Sequence, residues 1–391
     1  MDEFKGRQLY RPLTGTEIRL VSIRHLTIER IGEDYHQPVH ISTDCSTKTE
    51  NTESILNRIE CQLEHALLED CPESAALSYV WGDPNDRVII ILDGKEFLVR
   101  RNPYESLEFL SSVYNDGEEM RYWIDAICIN QDDVQERSRQ ILRMGDIYGS
   151  AKLVFAFLGN FSSKPVPAIN MISAVGDQMF VNLEKGLDLL DDYSLLYEPG
   201  EDYPALYGVV IGIIMTPWFS RAWVVQEAVT PLISPFLVFG HQILRLENLA
   251  IVETAFNQPQ IRSKLPLGPV SLIRKRLATN LMKLRDLYRP DPKDVPMSIY
   301  SDTLELSHLL KTVAAQKQAS DPRDKIFSFI GLVPRLEYSR SLRPDYTSSC
   351  SKVYHQYTRF ILETTGDLDI LLTKRYQVPG YHHGCQTLSI L

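Results

Sequence analysis

Nothing in the chain narrows its fold more than Tyr122 to Gly159, YWIDAICINQDDVQERSRQILRMGDIYGSAKLVFAFLG. An apolar run, Tyr122 to Ile129, is too continuous for a strand with one wet face. A polar break follows at Asn130 to Asp133, then a helical pattern, then a second apolar run from Leu153 to Leu158. Two such runs around a helix predict a strand–helix–strand unit with parallel, covered strands. Asp133 and Glu136 have capping-box spacing, with Asp in place of Ser or Thr. Asp125, Asn130, Gln131, Asp132 and Asp133 then crowd the carboxyl end of the first strand, where open α/β sheets bind ligands.

At 391 residues the chain has room for two or three domains. Its net charge of −10 argues against general nucleic-acid binding. Six cysteines without a CxxC pair suit reduced thiols inside a cell. The N-terminus lacks an apolar signal core, and no apolar run approaches the roughly 18 residues of a membrane span. The expectation is a soluble, cytoplasmic protein.

Before the central stretch, Glu17 to Ile23 alternates like a strand. Ile55, Ile59, Leu63 and Leu67 suggest a helix over 55–68. Ala75 to Asp83 reads as a small-residue strand ending in an aromatic–glycine turn. Arg87 to Val99 reads as a hairpin about Asp93-Gly94, and Asn102-Pro103 as a helix start. Residues 160–203 read as an insertion with an amphipathic piece near Met171 to Leu190. In TPWFSRAWVVQEAV, Thr216 to Val229, Ser220 suits a helix cap, and Trp223 and Glu227 fall one turn apart. Phe236 to Phe239 is a short strand. Helices are expected over 246–257, 271–288, 302–318, 322–332 and 350–365. The fold expected is α/β, a small, mostly parallel sheet of about five strands flanked by helices. Its divisions are a lead segment 1–69, a domain 70–245 and a mostly helical region 246–391.

Three blocks together resemble the heterokaryon-incompatibility (HET) domain of filamentous fungi: LSYVWG at 77–82, WIDAICINQ at 123–131 with Glu136-Arg137, and RAWVVQE at 221–227. The flanks agree as well, in Tyr10-Arg-Pro-Leu13, Glu17-Ile-Arg-Leu20 and Asp321-Pro-Arg-Asp-Lys325. The resemblance implies a non-self recognition effector that triggers programmed cell death when incompatible cells fuse. It also implies a distant likeness to TIR domains, hence a flavodoxin-like sheet. On that likeness Ser78-Tyr79 ends the first parallel strand, Ile124-Asp125 lies in the second, and Leu153 to Leu158 is the third. Trp223 and Glu227 resemble a Trp-Cys-x-x-Glu signature in which Val224 replaces the cysteine. In TIR enzymes that glutamate is the catalytic residue for NAD cleavage. Related proteins continue beyond this chain's aperiodic tail, which reads as an early stop, a truncation or a diverged product.

Glu227 is therefore the candidate catalytic residue, with NAD as substrate and no bound cofactor or metal. Trp81, Asp125 and Trp223 are the candidate ligand-binding residues, and Asp125, Trp81 and Glu227 are expected to border one cleft. A carboxylate beside a cation-like ribosyl centre would stabilise it and hold ribose hydroxyls. The plainer alternative pairs Glu227 with Arg221 or Arg137 as a helix anchor, and gives Asp125 the task of bracing the next loop. Cys128 reads as a small buried hydrophobe. His382, His383 and Cys385 form a weak metal candidate, and Arg274-Lys275-Arg276 a solvated face. GxGxxG, P-loop, GxSxG and HExxH motifs are absent. Two alternatives to an enzyme stand beside it: an interaction module that self-associates or docks a trigger protein, and an inactive decoy.

Overall fold

The structure is a computed structural model. It describes residues 9–30, 55–70, 73–113, 120–159, 166–184, 203–262, 276–288, 309–311, 313–314, 317–332, 342–366 and 368–372. The chain divides into two compact units, residues 1–132 and 133–391.

The first unit is built on strands β1 (Glu17–Arg30), β2 (Ile55–Leu67), β3 (Ser74–Tyr79), β4 (Arg87–Leu92), β5 (Lys95–Arg100) and β6 (Arg121–Trp123), with helices α1 (Arg101–Val113) and α2 (Asp125–Cys128). Its strands run in the order β5-β4-β2-β1-β6-β3. Pairing is mixed: β3 with β6 and β2 with β4 are parallel, while β1–β2, β1–β6 and β4–β5 are antiparallel. The α/β class holds. β3 is buried at all six positions, as expected of a strand covered on both faces. β4 alternates instead, burying Ile90 and Leu92 and exposing Ile89.

The hairpin of β4 and β5 turns at Asp93 (φ 50°) and Gly94 (φ 72°), the left-handed pair that an Asp-Gly turn accommodates. The helix expected over 55–68 is a strand, β2, paired antiparallel with β1 along its length. Four-residue spacing is also a multiple of two, so Ile55, Ile59, Leu63 and Leu67 share one strand face as readily as one helix face. The partner strand decides, and β1 itself runs on to Arg30, past the expected Ile23.

The apolar run from Tyr122 is also corrected. Its strand, β6, ends at Trp123, and the single turn α2 follows. Ile127 and Cys128 donate backbone N–H groups to the Ile124 carbonyl at 2.9 and 2.7 Å. Ile127, Cys128 and Ile129 are all buried. A continuous apolar run fits a buried helical turn as well as a buried strand.

The second unit contains α3 (Val134–Ser150), β7 (Leu153–Phe157), α4 (Val166–Glu184), α5 (Tyr203–Ile214), α6 (Pro217–Ser220), α7 (Val224–Val229), β8 (Phe236–Phe239), β9 (Gln242–Arg245), α8 (Leu246–Phe256), α9 (Pro259–Arg262), α10 (Leu277–Tyr288), α11 (Asp324–Ile330) and α12 (Cys350–Thr365). β7 pairs parallel with β8, and β8 antiparallel with β9. Asp133 caps α3, its carboxylate accepting the N–H groups of Gln135 and Glu136 at 2.9 and 3.0 Å. α8, α10, α11 and α12 fall on expected helices. The segment at 317–318, expected at a helix end, is instead extended and bridges to Arg221. Ser220 does not cap the Trp223 helix: it closes α6, donating its hydroxyl to the Pro217 carbonyl at 2.7 Å. Residues 185–202 of the expected insertion and the His382, His383 and Cys385 tail lie outside the described residues.

Packing in this unit includes one contact that leaves no room for a side chain. A Cβ on Gly145, in α3, would meet the Gly331 carbonyl oxygen at 2.8 Å, and one on Gly331 would meet Gln226 Nε2 at 2.6 Å. α3, the end of α11 and α7 therefore meet where these glycines allow close approach.

Candidate functional site

In the first unit, Trp81 and Asp125 come together. β3 delivers Tyr79 to its carboxyl end, and the chain turns through Trp81 and Gly82, whose φ of 74° favours glycine. Asn102 at the start of α1 pins this turn, donating Nδ2 to the Val80 carbonyl at 2.7 Å. The Arg100 guanidinium lies 5.0 Å from the Trp81 ring centroid. Asp125 receives the Tyr79 hydroxyl on one oxygen, and the Trp81 indole N–H on the other at 2.9 Å. The Ala126 N–H reaches the first oxygen at 2.8 Å. Both carboxylate oxygens thus have partners, and a charged acceptor strengthens each bond. Asp125 opens α2 just after its strand, and Gln131 Nε2 donates to its backbone carbonyl at 2.8 Å.

The flanking residues near the N-terminus hold that turn from behind. Arg19 has no exposed surface and donates to the Cys128 carbonyl at 3.0 Å and to the Arg11 carbonyl at 2.7 Å. Its guanidinium stacks over Tyr10, whose hydroxyl donates to the Ile127 carbonyl at 2.9 Å. Burial pushes the Cys128 thiol up to about 12, so it is a buried thiol and not a thiolate.

In the second unit, Trp223 and Glu227 stand one turn apart as expected: the Glu227 N–H donates to the Trp223 carbonyl at 3.2 Å. Every residue of α7 is buried, and Glu227 is 2 % exposed. Arg221 spans its two carboxylate oxygens at 3.3 Å each. Of the two plainer partners expected, Arg221 is therefore realised. Buried Lys317 adds a second cation. Its Nζ donates to the Phe219 carbonyl at 2.8 Å, and burial pushes its ammonium down to about 8 while the Glu227 charge opposes that shift.

Trp223 lies beside the Asp324 carboxylate, which accepts from the Tyr346 hydroxyl. Asp324 keeps some exposed surface as a residue, but its carboxylate is enclosed, and loss of water raises it from 3.8 to about 6. The Tyr346 ring carries the guanidinium groups of Arg137 at 4.9 Å and Arg323 at 5.1 Å. Arg323 binds Asp321 through its Nε and an NH2 contact of 2.6 Å.

Sequence reasoning missed Lys317 and the Asp324–Tyr346 contact beside Trp223. The Asp321-Pro-Arg-Asp-Lys325 block was the one signal pointing towards the latter. An open cleft of about 560 Å³ in the same unit is lined by α4, β8, β9 and α8, through Asp177, Val181, Phe236, Ile243, Arg245 and Glu247 among others. Neither Trp223 nor Glu227 lines it. Among the described residues no group of three or more His, Cys, Asp or Glu could hold a metal ion, and no helix is long and apolar enough to cross a membrane.

The class these features define is an α/β protein with a helical C-terminal region, whose signature aromatic and acidic side chains are tied into polar clusters. Residues 75–227 match the family described as Heterokaryon incompatibility protein (HET). It is 27 % identical over 351 residues to heterokaryon incompatibility protein 6, OR allele, of Neurospora crassa, covering 78 % of this chain and 49 % of that protein. The chain thus spans about half the length of the curated relative it matches. No solved structure matches it.

Proposed function

We propose that the chain is a cytoplasmic effector of fungal non-self recognition that commits a cell to death when incompatible cells fuse. Its domain, residues 70–245, acts by docking a trigger protein or a second copy of itself. The observation that carries the docking reading is the state of the two signature carboxylates. Glu227 is 2 % exposed and engaged by Arg221, and both oxygens of Asp125 are occupied by the protein's own donors. Groups saturated in this way brace a scaffold; they are not poised to receive a ligand.

A second reading gives Glu227 the chemistry of a TIR-like NAD glycohydrolase, with Trp223 one turn away on the same helix. It is favoured by the surroundings of Glu227, a water-poor site in which an ionised carboxylate acts strongly on a developing ribosyl cation. It requires Arg221 to yield the carboxylate to the substrate. Induced expression in a compatible fungal host tests the shared claim. Hyphal cell death is expected from the wild type, and its absence from cells that accumulate folded protein contradicts the effector reading. E227Q then separates the two: a brace retains the charge-independent part of its function, whereas a catalytic carboxylate loses all of it.

A further inference from the structure

The sheet of the first unit ends on one side at β5, whose outer edge has no partner strand among the described residues. The tight turn at Asp93-Gly94 closes on the pair Leu92–Lys95, so Leu92–Lys95, Ile90–Phe97 and Val88–Val99 exchange the ladder hydrogen bonds of the hairpin. The same parity continues past the strands, where the Arg101 N–H donates to the Asp86 carbonyl at 3.0 Å. The backbone N–H and carbonyl groups of Glu96, Leu98 and Arg100 therefore point away from β4, along the open edge. The alternate pairs Arg87–Arg100, Ile89–Leu98 and Ile91–Glu96 share the outer face of the hairpin. Ile89 and Leu98 are 44 % and 51 % exposed, an apolar cross-strand pair left in water. Two common guards of an edge are missing: β5 contains no proline, and its register with β4 runs without a bulge. Its lysine, Lys95, sits at the turn end.

We propose that β5 is a docking edge for a second copy of this chain, pairing antiparallel with the second copy's β5 so that Leu98 faces Leu98 on a two-fold axis. The charges of the strand select that register. Among registers that keep outward-pointing residues opposite one another, it alone sets Glu96 against the second copy's Arg100, and by symmetry does so twice. An axis through Glu96 or through Arg100 would instead bring like charges face to face. Each facing pair exchanges backbone hydrogen bonds, and the outer face gains a continuous apolar row, Ile89 and Leu98 of one copy running into Leu98 and Ile89 of the other. Glu96 makes no hydrogen bond or ion pair among the described residues. Arg100 donates to the Gly82 carbonyl at 3.0 Å and lies over Trp81, and its guanidinium keeps further N–H donors for a facing carboxylate. The proposal deepens the docking reading, on which it rests only for the effect on the cell.

Sedimentation velocity of the full-length chain over about 1–200 μM should show a reversible monomer–dimer equilibrium, since a single strand edge buries less area than a tight interface needs. E96K puts a second cation opposite Arg100, and R100E a second carboxylate opposite Glu96. Each variant alone should weaken the dimer about tenfold or more. Mixed in equal amounts, the two variants set opposite charges against each other at both positions, and a heterodimer near wild-type strength is expected. L98K brings two ammonium groups together on the axis and should leave a monomer. Its side chain is exposed, so the fold should survive, which circular dichroism checks. If R100E does not fold for want of the Trp81 contact, E96K and L98K still decide. A wild type that stays monomeric throughout, or a dimer that both E96K and L98K leave intact, overturns the proposal. In the host assay, a monomeric wild type that still kills refutes this interface and leaves trigger docking standing. A β5 dimer that does not kill refutes the effector reading alone.

Discussion

Asp324→Asn should remove a specific pH dependence from the stability of the second unit. The Asp324 carboxylate accepts from the Tyr346 hydroxyl, yet its loss of water outweighs that bond and raises it from 3.8 to about 6. An acid raised on folding is bound to its proton more firmly in the folded state. Its contribution is therefore fully present below about pH 4 and is lost as pH rises through about 6. A shift of that size corresponds to at most about 3 kcal/mol, because one pH unit is worth about 1.4 kcal/mol. Asn keeps one acceptor oxygen and cannot titrate, and its amide NH2 puts a donor where the second carboxylate oxygen accepted. Denaturant unfolding followed by tryptophan fluorescence at half-unit steps from pH 3.5 to 7 would measure both proteins. The wild type minus variant difference should fall steadily across that range by about 1–3 kcal/mol. A flat difference would refute the argument that desolvation dominates at Asp324. A difference that grows with pH would show that the hydrogen bond dominates instead.

Other substitutions test the remaining contacts. Arg221→Ala leaves a buried carboxylate with one cation fewer and should cost about 3–5 kcal/mol, measured as a loss of unfolding free energy at pH 7. Gly145→Ala forces a methyl group against the Gly331 backbone oxygen, which cannot rotate away, and should cost about 1–3 kcal/mol and lower Tm. Asp133→Ala removes the α3 cap and should cost about 1 kcal/mol in the same unfolding experiment.

Much of the architecture was legible wherever a residue type fixes a local geometry. Asp93-Gly94 announces a tight hairpin, Asp133 a helix start, and the unbroken apolar run of Leu153 to Phe157 a covered strand. Legibility failed where two periodicities coincide. The four-residue spacing of β2 suited helix and strand alike, and only its ladder with β1 separates them. Ile127-Cys128-Ile129 is buried on all sides, and burial on all sides erases the periodicity that would have shown α2. At the site, the one-turn relation of Trp223 and Glu227 could be read from their spacing, and Arg221 was within reach as a partner. Lys317 was not, because it meets Phe219 through a bridge of residues 98 apart in sequence. The commitment of Trp81 to Asp125 was likewise hidden, since no spacing rule ties a turn after one strand to the turn after another.

The central claim is that the signature carboxylates serve as braces in a docking effector. Its most direct test is nicotinamide release from NAD by the purified full-length chain, concentrated to favour assembly, beside E227A. The account predicts no release above the protein-free control from soluble wild type. Release that disappears in E227A while the variant remains folded would contradict it and give Glu227 the chemistry.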